Sequence, residues 1–169
     1  MKTLLVLRHA KASQDSPSGM DFDRPLKPRG QRQALALGCM MAERNLAVDA
    51  MVASPAARVV ETVTGIIAGS GSGAEPVYDR RIYNASLNAL IAVIRDADDH
   101  AQHLLIVGHN PGLQLLLLNL AEDDGDGRRG EVAAGYPTAM LADLTLSVDR
   151  WRDVWRQCGR IVSLIRPQD

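Results

Sequence analysis

Two arginines and two histidines give this chain its chemistry: Arg8 followed directly by His9, then Arg58, then His109. Guanidinium groups grip phosphoryl oxygens through paired donors and stay charged at any working pH. A neutral imidazole offers a nitrogen lone pair to phosphorus, and neighbouring positive charge favours that neutral form. A bound phosphate pulls the other way. The four side chains together describe a phosphoryl site with a histidine nucleophile. Singly, each has a plainer reading: Arg58 as half of a surface ion pair, the histidines as packed or helix-terminal residues. What decides is whether the chain brings them together.

Three apolar runs do so. Leu4-Leu5-Val6-Leu7 reads as a buried strand that delivers Arg8 and His9 to its carboxyl end, with Lys11 and Ser13 just beyond. Asp49 to Ala53 is a second strand, followed by Ser54-Pro55. His103 to Val107 is another, leading into Gly108-His109-Asn110-Pro111-Gly112. Parallel strands place their carboxyl ends along one sheet edge, where open α/β sheets bind ligands. Ser54 and Asn110 read as helix N-caps, with Pro55 and Pro111 as first helical residues. Two helix N-termini would then face the same cleft and favour an anion. Val59, Val63, Ile66 and Ile67 continue the first of these helices, which puts Arg58 in its opening turns. Glu61 and Thr62, one turn on, either orient Arg58 or face water.

The remaining segments supply layers and connections. Gln14 to Pro28 is polar and aperiodic, a loop over the sheet edge. A helix from about Arg29 to Leu46 carries Leu35, Cys39, Ala42 and Leu46 on one face, and Gly38 weakens it. The Gly69 to Gly73 run follows a helix and opens none, so it is a connection and not a dinucleotide loop. Pro76 to Tyr83 is extended, and Ser86 caps a helix bearing Leu87, Leu90, Ile91 and Ile94. After Pro111, Leu113, Leu116, Leu117 and Leu120 share a face, while Leu115 and Leu118 suggest burial on more than one side. Glu122 to Gly130 is a solvated loop, its aspartates lacking the distal glutamate of a calcium loop. Met140 to Val148 and Arg160 to Ile165 are late strands, and Trp151 and Trp155 between them are packing anchors.

The 169 residues fit one domain spanning 1–169, and aromatics at 4% against abundant Ala, Leu, Val and Ile suit helices packed on a sheet. The expected fold is α/β, three-layered, with a mostly parallel sheet. A formal charge of −1 provides no field for nucleic acid or anionic membrane. Cys39 and Cys158 have neither CxxC nor zinc-ligand spacing and read as reduced thiols. The first apolar run is too short for a signal peptide, and a cytoplasmic location is expected. No metal constellation accompanies His9 or His109, a Walker A loop is missing, and no cofactor is expected. Oligomeric state is not legible.

Four ordered motifs carry a family resemblance over most of the chain: Leu7-Arg8-His9-Ala10-Lys11-Ala12, Arg24-Pro25-Leu26-Lys27-Pro28-Arg29-Gly30, Ser54-Pro55-Ala56-Ala57-Arg58-Val59-Val60-Glu61-Thr62 and Val107-Gly108-His109-Asn110-Pro111-Gly112. They resemble the histidine phosphatase superfamily, the phosphoglycerate mutase-like fold, and within it the SixA-type phosphohistidine phosphatases. The resemblance implies a metal-independent phosphatase in which His9 attacks phosphorus, Arg8 and Arg58 clamp the phosphoryl oxygens and His109 completes the pocket. Asn110 joins Arg8 and Arg58 as a substrate-binding residue. The family's usual Arg-His-Gly is Arg8-His9-Ala10 here, which should leave the backbone N–H available beside the phosphate. Many members carry a Glu or Asp proton donor after the third strand, where this chain reads Ile82-Tyr83-Asn84-Ala85-Ser86. A missing acid favours phosphohistidine, whose leaving group is an imidazole, over an alkyl phosphate. Asp21 or Asp23 could still supply a proton. The implied partner is a phosphorylated protein, the alternatives being a small phosphomonoester substrate or a non-catalytic module that binds a phosphorylated partner.

Overall fold

The computed structural model describes residues 1–168. Alternation along the first strand sorts the core: Leu4 and Val6 join one apolar cluster and Leu5 and Leu7 another on the opposite face, all fully buried. The strands are β1 (Lys2–Arg8), β2 (Ala50–Ala53), β3 (Pro76–Tyr78), β4 (His103–Gly108), β5 (Leu141–Leu146) and β6 (Gly159–Ile165). They form one sheet in the order β3-β2-β4-β1-β5-β6. The first four run parallel, while β5 lies antiparallel to β1 and β6 antiparallel to β5. The helices are α1 (Pro28–Glu43), α2 (Ala57–Ser70), α3 (Leu87–Arg95), α4 (Gly112–Leu120) and α5 (Arg128–Ala134). Residues of α1 and α2 pack with Leu5 and Leu7, and residues of α3, α4 and α5 with Leu4 and Val6, giving the expected three layers.

Register aligns the exits. Arg8 pairs with Gly108 and Ala53 with Val107. The ladder runs one residue further on each side, His9 N–H donating to the Gly108 carbonyl and Ser54 N–H to that of Val107, each at 3.1 Å. His9, Ser54 and His109 therefore leave the sheet at one level.

Several expectations are corrected. The buried face of α1 is Gly30, Gln33, Ala34, Leu37, Gly38 and Met41, whereas Leu35, Cys39 and Ala42 are exposed. The reason is backbone proximity to α2. A Cβ on Gly38 would lie 2.4 Å from the Ile66 carbonyl oxygen, one on Gly65 2.6 Å from Ala34 Cβ, and one on Gly69 2.3 Å from the Leu35 carbonyl oxygen. Gly38 is thus a contact and not only a weak point, and the small residues select the face. Neither Ser54 nor Asn110 caps a helix. α2 starts after Ala56 and α4 after Pro111, both without a side-chain cap, because both polar side chains are engaged elsewhere. Ser86 does cap α3, accepting from Ala89 N–H.

Leu115 is 50% exposed, whereas Leu118 is half-buried against the core, so α4 extends its burial beyond the Leu113 face at one of the two expected positions and not the other. Arg128 to Ala134 forms α5 in what reads as loop and tail, a turn-rich start having masked it. Trp151 is an anchor, wholly buried with its indole N–H on the Ala101 carbonyl, but Trp155 is 61% exposed.

Candidate active site

His9 and His109 arise from adjacent strands and sit with ring centroids 5.4 Å apart, both nearly buried. His9 Nδ1 lies 2.7 Å from the Ala10 carbonyl oxygen. That oxygen can only accept, so Nδ1 carries the hydrogen and Nε2 keeps a bare lone pair. Burial above all, with the charges of Arg58, Arg8 and Arg24, lowers the His9 pKa to about 4 against the opposing Ala10 hydrogen bond. Burial, Arg58, His9 and Arg8 lower that of His109 to about 3, with Asp21 opposing. Both imidazoles are neutral at pH 7.

The guanidiniums are held differently. Arg8 Nη1 donates to the Tyr136 carbonyl at 2.9 Å, and Asn110 Nδ2 donates to the same oxygen at 2.8 Å. Tyr136 is itself buried, its hydroxyl donating to the Val6 carbonyl at 2.7 Å. Arg58, at the start of α2, donates to the Asp21 carbonyl oxygen at 2.8 Å and to its carboxylate at 3.1 Å. Thr62 resolves the two readings of the second turn: its hydroxyl donates to the Arg58 carbonyl at 2.6 Å and accepts from Ala10 N–H at 3.0 Å. That Ala10 N–H is thereby occupied, contrary to the expectation that it stays free. Glu61 accepts from Leu26 N–H and pins the loop before α1.

A cavity of about 460 Å³ opens over these groups, lined by Arg8, His9, Arg58, His109 and Asn110, with Asp21, Arg24, Tyr83 and Asn84 around its mouth. Arg8 Nε, Arg58 Nε, His109 Nδ1 and Asn110 Oδ1 are buried there without a hydrogen-bond partner among the described residues. The two guanidinium nitrogens are orphaned buried donors complementary to an oxyanion, whereas Asn110 Oδ1 only accepts and adds nothing to that complementarity. Lys11 is not among the lining residues, nor is Asp23.

Asp21 is the carboxylate that enters the site. Its side chain accepts from the Tyr83 hydroxyl at 2.7 Å, Arg24 at 2.8 Å and Arg58. The Tyr83 bond foremost, then Arg24 and Arg58, hold it well below the usual carboxylate range. Phe22 packs edge-on to Tyr83 at 5.1 Å and Tyr83 edge-on to His109 at 5.5 Å. Sequence reading missed Tyr83 as a wall of the site, the Tyr136 carbonyl as anchor and Ser54 as the partner of His109. Tyr83 stands where a carboxylate is missing, which was the available signal; a backbone carbonyl leaves none.

Comparison with known proteins agrees with this geometry. The sequence pattern of the histidine phosphatase superfamily (branch 1) matches residues 4–90. The chain belongs to that superfamily and is a phosphatase. An uncharacterized Mycobacterium tuberculosis protein, Rv1276c, is 34% identical over 165 residues, covering 96% of this chain and all of that one. Among solved structures, a candidate phosphohistidine phosphatase SixA from Agrobacterium tumefaciens aligns with TM-score 0.81 at 28% identity over 98% of each chain. Its counterpart from Nakamurella multipartitia aligns with TM-score 0.85 at 26% identity, over 98% of this chain and 96% of that one. No described helix is long and apolar enough to cross a membrane.

Proposed function

We propose that the protein hydrolyses phosphohistidine carried on another protein, through a covalent intermediate on His9. The observation that carries the reading is the hydrogen bond from His9 Nδ1 to the Ala10 carbonyl, which commits Nε2 to the cavity as a lone-pair donor beside two guanidiniums. Arg8, Arg58, Asn110 and His109 receive the phosphoryl oxygens. The Nε2 lone pair forms a bond to phosphorus as the substrate's P–N bond breaks, and that electron pair stays on the departing imidazole. Protonated beforehand on its other ring nitrogen, this imidazole leaves neutral without an acid from the enzyme. Water then bonds to phosphorus, the N–P electron pair returns to Nε2, and both water protons depart on dihydrogen phosphate.

Two features favour phosphohistidine over an alkyl ester. Tyr83 stands where a carboxylic acid would be needed, and Asp21 is held ionised by three donors. Short segments around the cavity suit a substrate carried on a protein, and the unpaired Cys39 and Cys158 fit a cytoplasmic setting.

The test is parallel hydrolysis of a phosphohistidine protein and an alkyl phosphate by one preparation, with His9→Ala as blank. Release from phosphohistidine alone, with an acid-labile phosphoenzyme, is expected. Faster hydrolysis of the alkyl phosphate overturns the reading and turns attention to Asp21 as an acid.

A further inference from the structure

Ser54 sits at the end of β2, fully buried, with a single hydroxyl between two groups. The Ala56 N–H reaches its Oγ at 3.3 Å, and His109 Nε2 lies 2.8 Å from the same oxygen. A backbone N–H only donates, so Oγ accepts from Ala56 and still has its own hydrogen to place. Among the described residues, His109 Nε2 is the acceptor within reach. Were Nε2 the donor instead, the serine hydrogen would be left buried without an acceptor, which is costly.

From this saturation of one hydroxyl we infer that Ser54 is a positioning residue: its O–H donates to His109 Nε2 and so sets the hydrogen of the neutral imidazole on Nδ1, where it is offered to a phosphoryl oxygen. Nδ1 is the buried ring nitrogen of His109 that has no hydrogen-bond partner among the described residues, and the His109 ring is part of the cavity lining. His109 then acts as a neutral hydrogen-bond donor whose direction is fixed before substrate arrives. The groups facing it agree with a neutral ring: Arg58, Arg8 and His9 disfavour a further proton, Asp21 alone opposes them, and Tyr83 presents an edge to the ring. Loss of the serine hydroxyl frees the ring to adopt the other tautomer, which would aim a lone pair at the incoming anion. The inference rests on the cavity receiving a phosphoryl group, and is independent of which leaving group departs.

The experiment is nitrogen-15 NMR of the histidine rings in the full chain at neutral pH, with His109 assigned by its loss in His109→Gln. The wild type is expected to carry hydrogen on Nδ1 and a lone pair on Nε2, and Ser54→Ala to shift toward hydrogen on Nε2. The same variant should lose about tenfold in kcat/KM, most of it in kcat, because the donor matters most as charge grows on the phosphoryl oxygens. Hydrogen on Nε2 in the wild type overturns the inference, as does an unchanged tautomer in Ser54→Ala. Should Ser54→Ala fail to fold, the wild-type spectrum decides alone. If no phosphorylated substrate is turned over, the proposed function falls while the ring spectrum still judges Ser54.

Discussion

The floor and the mouth of the cavity are built on opposite terms. On the floor, His9, Arg8, Asn110 and His109 are held by buried or partly buried bonds to Ala10, Tyr136 and Ser54, at strand ends locked in register. Arg58, itself buried, is held from the mouth by Asp21, a carboxylate 49% exposed and shared with Arg24 and Tyr83. If Arg58 grips phosphate as proposed, a carboxylate on that guanidinium is an internal competitor. The floor is thus organised in advance, whereas part of the mouth must be given up when an anion enters.

That contrast can be broken by substitution. His9→Ala should cut turnover by at least about a thousandfold and abolish any acid-labile phosphoenzyme, read by phosphate release and labelled protein. Arg8→Ala and Arg58→Ala should each cost about a hundredfold in kcat/KM. Equal losses would argue that the two clamps work alike despite their different anchors. A larger loss at Arg8 would mark the floor as dominant.

The acid limb of the pH profile comes next. On the proposed function His9 reacts as the neutral ring, so kcat/KM should fall as pH drops through about 4, while the substrate ring's own loss of its proton lowers it again as pH rises through neutrality. Stability should move in the same direction. With a folded pKa below the unfolded value near 6.5, the unfolded chain binds protons that the folded one does not as pH falls from there toward 4, so acid destabilises the fold. A flat denaturation midpoint across that window would contradict the lowered histidines. The smallest effect concerns the mouth: Asp21→Asn should tighten binding of inorganic phosphate about threefold to tenfold, measured by calorimetry. Weaker binding would mean that Asp21 orients Arg58 more than it competes for it.

Much of this was legible in residue order. Apolar runs ending at Arg8-His9, Ser54 and His109 placed the site at one sheet edge, and β5 and β6 were visible as strands although their direction was not. What failed shares a cause. Ser54-Pro55 and Asn110-Pro111 have the composition of helix starts, yet tertiary partners took both polar side chains, Ser54 going to His109 and Asn110 to the Tyr136 carbonyl. On α1 the expected face carried Leu35 and Cys39, whereas the buried face carries Leu37 and Met41 with Gly38 and Ala34, small residues that a hydrophobic pattern weighs lightly and that make the close contact with α2.

The glycine seam between α1 and α2 also limits how this sequence can drift. Obstructing atoms at Gly38 and Gly69 belong to backbone, which has no rotamer with which to yield. Growth on one helix cannot be absorbed by trimming a side chain on the other; the helices themselves would have to separate. Because α2 carries Arg58 in its first turn, such a separation would carry its guanidinium away from the strand ends that hold Arg8, His9 and His109. Gly38→Ala should accordingly lower the unfolding free energy by about 1–3 kcal/mol in a denaturant titration. Two positions remote from the cavity thus carry the same intolerance to change as the residues within it.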